Sequence, residues 1–153
     1  MGLLRLVAAV GALCLLAACG RVTGSGADSG FAAKVVTLPN GQKINAEVML
    51  EDRDMMRGMM FRDSLAPDRG MLFVHPKPGN YSYWMYQVRI PLDIIWMDSS
   101  RRIVEISANT PPCTTAPREC PHYGGHAVVQ YALELAGGMV EHYGLKEGQT
   151  LDF

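Results

Sequence analysis

The sequence predicts a mainly β (α+β) fold: a single compact, sandwich- or barrel-like domain with short helical insertions. Three observations carry this. Strand-like runs outnumber helical ones, they recur at short and regular spacing between turn signals, and the helical patterns are brief. A chain of 153 residues also suits one domain with a real buried core.

The folded part begins near Phe31, so the domain is read as residues 31–153. Lys34 to Leu38 and Lys43 to Leu50 flank Pro39-Asn40-Gly41-Gln42. Ile44, Ala46, Val48 and Leu50 alternate with Lys43, Asn45 and Glu47, which predicts a hairpin with one buried face. From Asp52 the period changes. Met55, Met56, Met59 and Met60 recur at three- and four-residue spacing, predicting a short helix capped by Asp52 or Asp54. Gly58 weakens that helix and points to close backbone packing. A turn at Ala66 to Gly70 leads into a short apolar strand, Met71 to Val74, and a second turn at His75 to Asn80. Tyr81 to Val88 is aromatic and β-prone. Leu92 to Met97 is a near-continuous apolar run, which Asp98-Ser99-Ser100-Arg101 turns into Arg102 to Ile106 as a hairpin. Asn109 to Gly125 reads as a proline-rich loop and Ala127 to Leu135 as a strand. A helical turn at Met139 to Tyr143 stops at Gly144, and Thr150 to Phe153 is a closing strand.

Ahead of the domain, Arg5 precedes the uncharged apolar stretch Leu6 to Ala18. That stretch is shorter than the roughly 20 residues needed to span a bilayer. Residues 1–18 therefore read as an export signal and not as a permanent membrane helix. The segment ends in Leu16-Ala17-Ala18-Cys19, and small residues before a cysteine resemble a bacterial lipobox. The resemblance implies cleavage before Cys19 and lipidation of that residue, with enough acyl chains to anchor firmly. Gly20 is not the acidic residue that retains some lipoproteins at the inner membrane, so an outer-membrane address is open. Residues 19–30, rich in Gly and Ser, read as a flexible tether. The expected location is the cell envelope, facing the periplasm or the exterior, with the membrane as a partner through the lipid.

A net charge of −1 argues against a nucleic-acid surface. Of the four cysteines, Cys14 leaves with the signal and Cys19 takes the lipid, so Cys113 and Cys120 remain. In an oxidising compartment that pair favours a disulfide. The alternative is zinc, because Cys113, Cys120, His122 and His126 have suitable types and spacings. Met55, Met56, Met59, Met60, Met71, Met85 and Met97 offer thioethers that suit Cu(I), although methionine at such positions also fills irregular core space. Asp93 interrupts an apolar strand and needs a partner unless it faces solvent, with Arg57 and Arg62 the candidates. Beside Trp84 these residues could form a small polar pocket with an aromatic wall, or a buried ion pair that fixes strand register. Glu134, between Leu133 and Leu135, is expected on the solvent face. Asp93 with Glu134 is also the candidate acid–base pair for hydrolysis. His75, His126 and His142 read as solvated, and the sequence has neither a Gly-rich phosphate loop nor a Gly-x-Ser-x-Gly elbow.

An ordered series of blocks adds a resemblance. Gly58-Met59-Met60-Phe61-Arg62, Ser64-Leu65, Gly70-Met71-Leu72-Phe73-Val74, Trp84-Met85, Pro91-Leu92-Asp93-Ile94-Ile95, Ile103-Val104, Ala132-Leu133-Glu134-Leu135, Ala136-Gly137 and Gly144-Leu145 with Gly148 resemble the family called DUF192. The resemblance implies a compact β-rich domain, often exported, of undetermined activity and with no cofactor. The Cys-Pro at 120–121 looks like the exported members. Tyr86-Gln87-Val88 stands where the family usually has Lys-Asn-Thr, so a site lined by those polar residues in relatives is altered here. The functional expectation is an envelope lipoprotein acting as a non-catalytic binding or accessory module for a small molecule or envelope ligand. The alternatives are a hydrolase of envelope or extracellular material, and methionine-based copper handling.

Overall fold

A computed structural model describes residues 30–153; the residues read as an export signal and tether, Cys19 among them, lie outside the described residues. The chain runs β1 (Ala33–Thr37), β2 (Lys43–Met49), α1 (Asp52–Arg57), β3 (Arg69–Gly79), β4 (Ser82–Trp84), β5 (Leu92–Met97), β6 (Ile103–Thr110), β7 (His122–Gly124), β8 (Val129–Ala136) and α2 (Met139–Tyr143). Six strands form one mixed sheet in the order β1-β2-β3-β8-β5-β6, and β4 pairs with β7 in a small second sheet. The architecture is mainly β, as predicted. The large sheet stays open, with β1 and β6 at its edges, and does not close into a barrel.

The two predicted hairpins are present. β1 pairs antiparallel with β2, and β5 with β6. At the second turn the Asp98 side chain accepts backbone N–H bonds from Ser100 and Arg102 at 2.8 and 3.0 Å, the local bonding that favours Asp at a turn. β2 and β3 are parallel, and the connection through α1 is the crossover that a parallel pair requires.

Each strand sends alternate side chains to opposite faces. On one face Ile95 and Met97 pack with Leu133, Leu135, Val36, Ile44 and α2. On the other, Leu92, Ile94 and Trp96 pack with Ala132, Phe73, Met71 and the α1 segment. β5 is buried at all six positions, so its unbroken apolar run is that of a strand covered on both sides.

Several boundaries differ from the expectation. β3 continues through His75 to Gly79, where a turn was expected. Its pairing with β8 jumps from Val74↔Tyr131 to Gly79↔Val129, because Pro76 and Pro78 have no N–H to give the ladder and the strand bulges around them. Only Ser82–Trp84 of the β-prone 81–88 segment is a strand. β6 extends to Thr110, and the proline-rich loop contains a 3-10 turn at Pro117–Glu119 as well as β7. The closing strand is reduced to the bridges Thr37↔Asp152 and Arg102↔Thr150. The N-cap of α1 is Glu51, without a side-chain cap bond, and neither Asp52 nor Asp54 caps it. Both instead lie in the first turn, where a carboxylate complements the helix dipole.

Candidate functional site

The face of the sheet that carries Trp96 and Phe73 also carries acid. Register places Glu47 beside Met71, Met71 beside Glu134, and Glu134 beside Ile94, a single row across β2, β3, β8 and β5. Three segments cover this row: α1 with the turn after it, the β4–β7 ribbon, and the 85–90 stretch. Between them lies a pocket of about 240 Å³. Met55 and Met59 form one wall, Tyr83 and Trp84 the opposite one, and Phe73, Val88 and Glu134 also line it.

Local sequence explains the walls. α1 ends at Gly58, whose φ of 43° few other residues adopt readily, and a Cβ there would sit 3.3 Å from the Phe73 ring. The expected close packing is thus between this glycine and an aromatic of the pocket. Gly124 plays a similar part in the ribbon. A Cβ at this residue would lie 2.4 Å from the Trp96 indole, so only glycine lets β7 rest on that ring. The ribbon's aromatics interlock below it, with Tyr83 4.6 Å from Trp96 and 4.9 Å from Phe73, ring centre to ring centre.

Glu134 is the chemically distinctive group. It is only 6% exposed, and its Oε2 is buried with no hydrogen-bond partner among the described residues. Burial pushes the carboxyl up to about 8 against a partial opposing pull from Arg62, so it is mostly neutral at pH 7. Arg62 is committed elsewhere. It grips Glu47 through two hydrogen bonds of 2.7 and 2.6 Å, a bidentate ion pair in which Glu47 raises the guanidinium above its usual value. Burial also raises the Tyr83 phenol, with Glu134 adding to it. The Tyr83 hydroxyl shares a 3.0 Å hydrogen bond with His75, which stacks on Tyr81 and whose own pKa is lowered by burial. His75 is therefore a buried member of an aromatic cluster and not the solvated loop histidine expected.

The remaining predicted residues fall as follows. Arg57 and Trp84 line the pocket. Asp93 does not. It is fully buried on the opposite face, where Oδ1 accepts from the Asn109 N–H and Oδ2 from the Val140 N–H, both at 2.6 Å. The expected pairing with Arg57 or Arg62 is replaced by backbone donors, because the neighbouring strand residue, Ile94, is the one that faces Glu134. Asp93 and Glu134 are thus separated by the sheet and cannot work on one substrate. Glu134 itself is buried, not solvent-facing, because the ribbon and α1 cover its side of the sheet.

Cys113 and Cys120 form a disulfide, which removes both sulfurs from the zinc alternative. His126 pairs with Glu105 at 2.7 Å, and His122 lies 6.0 Å from Trp84, ring centre to ring centre. Among the described residues no three His, Cys, Asp or Glu side chains are grouped to hold a metal ion. Of the seven methionines, Met55, Met59, Met60, Met71 and Met85 share the pocket face, Met97 packs on the α2 face, and Met56, at the pocket rim, is 71% exposed. Sequence reasoning missed Glu47 and Tyr83. Glu47 precedes Met49 on the same side of β2, and that apolar neighbour two residues on was the available signal that this side is covered.

The profile of DUF192, described as an uncharacterized ACR, matches residues 35–153. This chain belongs to the DUF192 family. Two solved structures share its fold. A protein of unknown function from Novosphingobium aromaticivorans is 28% identical, with a TM-score of 0.75, covering 83% of this chain and 89% of its own. A protein from Sinorhizobium meliloti, proposed to be a transcription regulator, is also 28% identical, with a TM-score of 0.72, covering 80% of this chain and 94% of its own. No curated protein matches. Gln87, beside the pocket wall, occupies a left-handed backbone position with φ of 58°. Val88 lines the pocket and keeps that part of its wall apolar.

Proposed function

We propose that this DUF192 protein is a non-catalytic, small-molecule-binding module of the bacterial cell envelope, exported and held at a membrane by lipid on Cys19. The observation that carries the binding role is the pocket itself: Glu134, a buried carboxyl whose Oε2 has no partner among the described residues, lines it together with thioethers, aromatic rings, Arg57 and Ser82. Mostly apolar pockets with one or two placed polar groups are the usual form of small-molecule sites. A catalytic reading has less support, because the second carboxyl it requires is spent on backbone N–H groups across the sheet. The envelope location rests on the apolar stretch ending at Ala18-Cys19 and agrees with a disulfide in the folded domain.

Two measurements test this. Cys19→Ser is expected to move the protein from the membrane fraction to the soluble fraction; a variant that still partitions with membranes removes the anchor from the reading. A fragment screen followed by two-dimensional NMR is expected to give hits that shift the Trp84 indole N–H and leave residues around Asp93 unmoved. A screen whose hits avoid the pocket, or that has none, defeats the binding role.

A further inference from the structure

Three of the six large apolar side chains exposed among the described residues, Met56, Phe61 and Trp84, gather round the mouth of the pocket. Met56 and Trp84 line it, and Phe61 adjoins through Val88, which borders both the pocket and the hollow beside that ring. Phe61 holds a left-handed φ of 66°, uncommon for so bulky a residue, and still leaves its ring half exposed. Neither backbone preference nor core packing accounts for an aromatic there. Charge does not mark the rim. Arg89 is paired with Asp63 and Arg53 with Asp54, and Arg57, which has no ion pair among the described residues, is offset by Asp52 in the same helix.

The chain enters the domain on this side. Phe31 packs against the side chains of the pocket face, so the segment that precedes it joins the domain there. Eleven residues, Gly20 to Gly30, separate Cys19 from Phe31. A Gly-rich segment of that length reaches about 20 Å on average, whereas the folded body is about 35 Å across. A lipid on Cys19 therefore turns the pocket face towards the bilayer. Presenting the α2 face instead would draw the tether round the body at close to its full extension of about 40 Å.

We infer that the pocket mouth, with Met56, Phe61 and Trp84 at its rim, docks on the surface of the bilayer that holds the lipid anchor. This inference rests on the anchor proposed above and goes beyond the ligand role. Tryptophan is at home at a membrane interface, where its apolar body and its N–H are both accommodated. The tether makes the contact intramolecular, so docking too weak to recruit a free domain is still populated. A second copy of the chain would also cover the patch, but the bilayer is always within the tether's reach and a second copy must be met by diffusion. Docked in this way, the pocket opens on the membrane interface and not on bulk water.

The two tryptophans supply the test, because Trp84 is 36% exposed and Trp96 is 0% exposed. Full-length lipoprotein is reconstituted in phosphatidylcholine vesicles, with or without bromine on the acyl chains near the headgroup, and tryptophan emission is read on the floated fraction. Bromine is expected to quench Trp84. The quench should be lost in Trp84→Phe, whose remaining emission comes from Trp96, and should fall by about half or more in Phe61→Ser. Circular dichroism on both variants confirms that they fold. Because the rim carries little net charge, replacing part of the phosphatidylcholine by phosphatidylglycerol should change the quench by less than about 1.5-fold. Protein that floats without any quench of Trp84 overturns the docking and leaves the anchor standing. Trp84 emission that changes with protein density in the vesicle and ignores bromine assigns the patch to a second copy and overturns it too. A quench that requires phosphatidylglycerol overturns the apolar basis. Protein that does not float defeats the anchor, and the docking falls with it.

Discussion

The neighbouring strands β5 and β8 each bury a carboxyl, on opposite faces of the sheet, and the two faces treat it in opposite ways. On the α2 face, Asp93 spends both oxygens on backbone N–H groups, one at the end of β6 and one in the first turn of α2. It joins three elements and has nothing left over. On the pocket face, Glu134 has an oxygen with no partner and carries the cost of burial as a raised pKa. The covers differ too. α2 and the chain end pack on aliphatic side chains, whereas the β4–β7 ribbon and α1 meet over methionines and rings, with the Glu134 pocket between them. Residue type alone does not separate a structural acid from a binding one; what separates them is whether the fold supplies the missing hydrogen bonds.

The largest expected effect breaks the satisfied side. Asp93→Ala leaves two N–H groups without their acceptor, one of them deeply buried, at about 1 to 3 kcal/mol each. A loss of about 4 kcal/mol is expected, read as a shift of the urea midpoint with an unchanged slope. Asp93→Asn keeps one acceptor oxygen and should cost about half as much. A loss below about 1 kcal/mol for the alanine variant would show that the carboxyl does not hold α2 in place.

The next effect lies on the unsatisfied side and has a pH signature. Folding raises the Glu134 pKa from an ordinary 4.5 to about 8, so the folded state holds the proton more tightly than the unfolded chain does. Stability from this group is therefore greatest below about 4.5, declines as pH rises towards about 8, and is level above it. At pH 7 the penalty is on the order of 3 kcal/mol. Glu134→Gln is expected to recover much of that and to flatten the slope between these pH values, as measured by denaturant midpoints across the range. A slope unchanged in the variant would assign it to another group.

This contrast also marks what could be read from sequence. The β5–β6 hairpin and the unbroken run of β5 were legible because periodicity and turn chemistry are local. The extent of β3 through Pro76 and Pro78 was not, since those prolines read as a turn unless the partner strand is known to bulge around them. At the site, Arg57 and Trp84 are legible as pocket residues, but Arg62 and Asp93 are grouped with them, and Glu134 reads as solvent-facing. Its assignment depends on which of two adjacent β5 residues shares a face with the pocket, and a one-residue change of register inverts that answer. Glu47 was missed for a related reason: its burial comes from Arg62, fifteen positions away, and from a covering segment whose position no local pattern reports.

The smallest of the three effects concerns how the pocket's cover is held. Where α2 is pinned through Asp93, the ribbon side has a covalent tie: the disulfide closes a short loop, with a separation of seven between Cys113 and Cys120. A loop of this size is worth about 2.5 kcal/mol by constraint of the unfolded chain. Cys113 also donates its N–H to the Met85 carbonyl at 3.1 Å, and Tyr86 bridges to Cys113. The tie therefore reaches the stretch that ends at Val88 in the pocket wall. The double variant Cys113→Ser with Cys120→Ser is expected to lose about that much global stability. Its local signature should be lopsided, with faster amide hydrogen exchange in residues 83–88 and 122–124 and protection of α2 and Val140 reduced only by the global loss. Equal extra exposure on both faces would mean that the two covers open as one cooperative unit, and the division between a pinned side and a tied side would not survive it.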